Sequence, residues 1–88
     1  MSRPVKRSLT LKGHRTSVSL EDAFWQAFRE IAEDQGRAIN DLAAEIDAAR
    51  GLETGLATAI RLFVLEHYRT QLAHRRDTDG VPTSYRTT

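Results

Sequence analysis

The 88-residue chain contains no cysteine, so neither a disulfide nor a thiolate zinc site can supplement its core. No apolar run approaches the ~20 residues of a membrane span, and the first residues lack the apolar stretch of a secretory signal. A cytoplasmic protein without a membrane contact is the expectation. The constellations that carry catalysis are missing as well: there is no Gly-rich phosphate loop and no nucleophile beside a plausible base. Glu45 and Asp47, two apart, face different directions and make no carboxylate pair. An enzyme is not expected. Nor is a metal: His67 and His74 stand seven apart on one predicted helix, about 10 Å along its axis, too far for one ion, and His14 lies elsewhere. No cofactor is implied.

Size adds a further constraint. A domain of this length buries only roughly 60–65% of the surface its unfolded chain exposes. With no cysteine to staple it, association with another copy is the remaining common remedy. Charge is sorted along the chain although the net is only +1. Residues 1–20 carry Arg3, Lys6, Arg7, Lys12 and Arg15 and no acid, whereas residues 21–66 carry ten acids against four arginines. A dimer would double the basic segment and keep an acidic body behind it, which suits a polyanion at one face.

The most informative stretch is Gly13-His14-Arg15-Thr16-Ser17-Val18-Ser19-Leu20-Glu21-Asp22. Strand side chains alternate with period two, so Arg15, Ser17 and Ser19 fall on one side and Thr16, Val18 and Leu20 on the other. A polar face headed by arginine is what a two-stranded ribbon reading a DNA groove needs. The apolar face can be buried only by the following helix and a second copy of the strand. Before it, Ser8-Leu9-Thr10-Leu11 also alternates, with Lys12-Gly13-His14 as a turn; this first strand either folds back as a hairpin or joins the ribbon's outer edge. Residues 1–7 read as a flexible basic arm.

A first helix is predicted from Ser19 or Leu20, where Ser19 with Asp22 resembles a capping box. Its apolar residues Phe24, Trp25, Phe28, Ile31 and Ala32 share one face, and Gly36 stops it. A second helix runs from Ile39 to Ala49 or Arg50 with Ile39, Leu42, Ala43 and Ile46 in line. A third, from about Leu56 to Ala73, is apolar nearly all round, with Ile60, Phe63 and Val64 on one stripe and Leu62, Leu65, Tyr68 and Leu72 over much of the rest. Such a helix is normally central to a core, and in a short chain that most easily means a subunit interface. From Arg75 the composition is polar and reads as a disordered tail, so residues 8–74 form the domain and 75–88 its extension.

Strand, helix, glycine turn, helix over about residues 14–49 resembles the ribbon-helix-helix family of Arc/MetJ-type repressors. The motif Gly13 to Glu21 followed by Phe24-Trp25, with Leu56-Ala57-Thr58-Ala59-Ile60-Arg61-Leu62-Phe63-Val64-Leu65 as an added helix, is similar to a small bacterial subfamily. The resemblance implies a mainly α fold with a short β-ribbon: an intertwined homodimer whose strands pair between subunits, with the third helix strengthening the dimer or joining dimers into a tetramer. It implies base contacts from Arg15, Ser17 and Ser19 in the major groove of double-stranded DNA, and phosphate contacts from Lys6, Arg7 and Lys12 and from the second-helix start at Ala38, Ile39 and Asn40. Ala38 departs from the family's usual serine. Val18, Leu20, Phe24, Phe28, Ile31, Leu42, Ile46, Ile60, Phe63 and Val64 are the expected dimer core. Because Leu56–Arg61 also resembles the start of a family second helix, the third helix with Thr54-Gly55 at the phosphate is the alternative assignment. The implied function is transcriptional regulation, repressor-like; the rival is an antitoxin-like or adaptor protein whose dimer grips a protein partner through residues 75–88.

Overall fold

The alternation near the start of the chain folds as a hairpin. In the computed structural model, which describes residues 3–79, strand β1 (Val5–Leu11) pairs antiparallel with strand β2 (His14–Leu20). Two residues close the turn, Lys12 at φ 52° and Gly13 at φ 84°, the pair of positive φ values that matches the twist of a tight hairpin. Leu11 lies opposite His14 and Val5 opposite Leu20, so Leu9, Val18 and Leu20 all fall on one face and are buried. Residues 5–7, expected in the flexible arm, are the first three of β1. Of the two placements open for the first strand, the chain adopts the hairpin.

Helix α1 (Asp22–Asp34) starts two residues later than a cap at Ser19 would have it. Glu21 is the N-cap and makes no side-chain capping bond, so the expected Ser19–Asp22 capping box is not formed. Its end is as the glycine foretold. Gly36, at φ 64°, lets its own N–H reach the Glu33 carbonyl at 3.0 Å and the Arg37 N–H reach the Ala32 carbonyl at 2.9 Å, a Schellman closure. Helix α2 (Ile39–Ala49) follows, then α3 (Leu56–Asp79), which continues six residues beyond Ala73 into the stretch expected as tail. Residues 80–88 of that expected tail, and residues 1–2 of the arm, lie outside the described residues.

One core joins all five elements. Phe28, Leu20, Leu42 and Ile60 are fully enclosed, Ile31 and Leu9 nearly so, and Val18, Ala32, Ala43, Ile46 and Val64 complete the buried set. Phe63 meets Phe28 edge-on at 6.2 Å between ring centroids, and Trp25 tilts against it from the other side at 6.4 Å. The residues expected to fill a dimer core are thus buried or half-buried within one chain, Phe24 and Phe63 being the half-buried ones. Packing that was assigned to a second copy is supplied by α2 and α3 of the same chain. Among the described residues no helix is long and apolar enough to cross a membrane.

Candidate nucleic-acid interface

The face of the hairpin turned away from the helices carries Lys6, Ser8 and Thr10 from β1 and Arg15, Ser17 and Ser19 from β2, all exposed. The register sets them in three cross-strand pairs: Lys6 opposite Ser19, Ser8 opposite Ser17, and Thr10 opposite Arg15. The surface is therefore one of small hydroxyl side chains with cations, Lys6 and Arg15, at two diagonally opposite corners, and Lys12 adds a further cation at the turn. It holds no acid and no large apolar side chain. Hydroxyls donate or accept, and arginine presents a fork of donors, so the face is chemically suited to base edges and phosphates.

The nearest acids are occupied. Glu21 receives the Arg61 guanidinium at 2.9 Å and Asp22 receives that of Arg7 at 3.1 Å. The Arg61 bond holds the Glu21 carboxyl below the usual carboxylate range, helped by a bond to its own backbone and opposed by partial burial. A lowered folded value stabilises the fold above the unfolded pKa and loses that contribution as the pH falls through the folded one. In an NMR titration Glu21 should therefore protonate later on acidification than an unpaired glutamate, and Arg61→Ala should move its midpoint upward; an unmoved midpoint would show that Arg61 does not govern it.

Arg7 is not on this face. Expected among the phosphate contacts, it sits on the helix side of β1, bonded to Asp22 and stacked 5.3 Å from the Trp25 ring centre. Period two requires this: Lys6 points out, so Arg7 points in, and its long apolar stem snorkels along the tryptophan to keep the head near a carboxylate. The α2 start is also partly engaged. Asn40 accepts the Thr10 backbone N–H at 3.1 Å through Oδ1, which ties α2 to the outer edge of β1 and leaves its amide group as donor. Ala38, the N-cap, makes no side-chain bond; Ile39 packs against the core; and Asp41 places a negative charge in the first turn. The first turn of α3 contains no acid.

Ser8, Thr10 and Arg61 were missed in the sequence. The alternation of Ser8 and Thr10 was visible, but their sharing a face with Arg15, Ser17 and Ser19 follows only from a two-residue turn. Arg61 bonds the Ser19 carbonyl at 3.2 Å as well as Glu21, and its guanidinium lies 5.9 Å from the Phe24 ring centre. Nothing in local spacing connects residues 42 apart. Among the described residues, no group of three or more His, Asp or Glu is placed to hold a metal ion.

Compared with known proteins, residues 4–68 match the family model described as the ribbon-helix-helix domain, a span that takes in the hairpin, α1, α2 and the first half of α3. No curated protein and no solved structure matches the chain.

Proposed function

Since the chain belongs to the ribbon-helix-helix domain family, a family of DNA-binding regulators rather than enzymes, we propose that it is a repressor-like transcriptional regulator whose homodimer reads two-fold DNA sites through β2. The observation that carries this reading is the acid-free outer face of the hairpin, with Arg15, Ser17 and Ser19 in one exposed row.

The edges of the hairpin indicate how two copies meet. In a hairpin closed by two residues, Leu11 and His14 exchange hydrogen bonds, and alternation then turns the backbone groups of Thr10 outward from β1 and those of Arg15, Ser17 and Ser19 outward from β2. The Thr10 bond to Asn40 and the Ser19 bond to Arg61 fit that pattern. The β1 edge is thus engaged by α2, while among the described residues β2 pairs only with β1 and keeps its other edge open along Arg15 and Ser17. A second β2, antiparallel about Ser17, would continue the sheet and set Arg15 of each copy across from Ser19 of the other. Four strands span about 14 Å between outer axes, against a major groove about 12 Å wide. The two β2 strands therefore enter the groove and the β1 strands ride its walls, where Lys6 meets phosphates. Lys12 lies at the turn for the same purpose. Of the helix starts, Ala38, Ile39 and Asn40 remain donors toward a phosphate, against the charge of Asp41.

Fluorescence anisotropy on a mixed-sequence duplex tests the reading. About six phosphate contacts per dimer predict roughly a thousandfold loss of affinity between 50 and 200 mM salt. Absence of binding at the lower salt would refute it. The antitoxin-like or adaptor reading draws on exposed Tyr68 and Leu72 beside residues 75–88, and predicts loss of a protein partner on truncation after Ala73.

A further inference from the structure

The outer row of β2 ends at Ser19, and the hold on that end comes from a distant helix. The backbone groups of Ser19 turn away from β1, so the hairpin ladder does not bond them directly. One residue later Leu20 faces Val5, the first residue of β1, and the chain leaves the sheet for α1. At this junction Arg61 of α3 makes two bonds with one guanidinium. Its Nε donates to the Glu21 carboxylate at 2.9 Å and an Nη to the Ser19 carbonyl at 3.2 Å. The same group lies over the Phe24 ring, 5.9 Å from its centre. Ile60, its neighbour in α3, is fully buried, which fixes the backbone from which the side chain reaches. Of the ion pairs among the described residues, this one alone has both side chains less than a third exposed, at 28% and 29%.

We propose that Arg61 is a positioning residue for base reading: it sets where the Ser19 hydroxyl stands in the groove, and thereby governs specificity at one base pair of each half-site without touching DNA. The inference rests on the reading given under Proposed function and adds a residue to it. The difference between the reading side chains carries the argument. Arg15 can search for its contact along a flexible stem, whereas a serine hydroxyl goes where the backbone puts it. A serine contact therefore demands that the strand end be held to within about 0.5 Å. Arg61 is suited to that task, because its planar fork grips two acceptors at once and stacks on a ring, which the point charge of lysine cannot do. Its charge has a separate effect. It neutralises Glu21, an acid two residues beyond Ser19 that would otherwise repel phosphates. Lysine at this position keeps the charge and removes only the fork, so the two effects can be told apart.

Arg61→Lys in the full chain is the test, with Ser19→Ala and the double variant beside it. Each is titrated by fluorescence anisotropy against the duplex that the wild type selects from a randomised pool, its single base-pair changes, and a mixed-sequence duplex. Ser19→Ala identifies the base pair that Ser19 reads, as the position where a discrimination of roughly tenfold disappears. Arg61→Lys should lose discrimination at that same base pair and keep it where Arg15 reads. Its affinity for the mixed duplex should stay within about twofold of wild type, since the charge is retained. In the double variant the second substitution should change nothing further at that base pair. Circular dichroism checks folding; if the lysine variant melts, Glu21→Gln, which weakens the anchor of the fork, should relax the same base pair and no other. Equal losses at every base pair would overturn the role and leave Arg61 a structural ion pair. Wild-type discrimination in Arg61→Lys, or no base pair that depends on Ser19, would overturn it as well while leaving the DNA reading intact. A wild type that selects no motif would overturn the reading and this role together.

Discussion

Arg15→Ala is expected to weaken specific DNA binding by about 2–6 kcal/mol per dimer, since each bidentate arginine–guanine contact contributes about 1–3 kcal/mol and the two-fold axis presents two. Its side chain is exposed on the outer face opposite Thr10 and takes part in none of the ion pairs of the described residues. Removing it should therefore leave the denaturation midpoint where it was. Arg7→Ala is the informative contrast. That guanidinium lies on Trp25 and bonds Asp22 on the helix side, so its loss should lower stability by about 1 kcal/mol and leave affinity for the chosen site nearly unchanged. Titrating both variants against one duplex separates the faces. Equal losses for the two would mean that the outer row does not do the reading.

Phe28→Ala should cost about 3–5 kcal/mol of folding free energy. Phe28 has no exposed surface and packs between Trp25 and Phe63, so truncation opens a cavity that three helices and a sheet cannot close together. A domain of this size has about 5–10 kcal/mol in total, and the variant should be largely unfolded at moderate urea. Dimerisation and DNA binding should fail with it. A loss below about 1 kcal/mol in a urea titration would show that the core is not organised around this ring.

These outcomes depend on parts of the fold that were unequally legible in the sequence. The ends of α2 were readable because Ile39, Leu42, Ala43 and Ile46 keep helical spacing between a glycine turn and Gly51, and Gly36 stops α1 through backbone bonds that its positive φ permits. The exposed row of Arg15, Ser17 and Ser19 was readable from period two alone. What local pattern could not supply is which side a long cationic side chain takes. Arg7 reads as solvated in sequence, yet the pairing phase turns it inward, where Trp25 and Asp22 receive both its stem and its charge. The capping box failed for a related reason: helix α1 begins at Asp22, and Arg61 from a distant helix engages both the Glu21 carboxylate and the Ser19 carbonyl. The core was legible in its members but not in its ownership. Apolar spacing says which residues are buried, and whether the covering helix belongs to the same chain depends on the order of α2 and α3 around the hairpin. Where α3 ends was hidden as well, because residues 74–79 are polar and carry no stripe to count.

Selection of the protein's sites from a randomised duplex pool, sequenced at two salt concentrations, tests the central claim most directly. The account predicts enrichment of a short two-fold symmetric motif that persists at the higher salt, with the enrichment lost in Arg15→Ala. Binding that enriches no motif and vanishes as salt is raised would contradict it, and would reduce the outer face of the hairpin to a patch of charge.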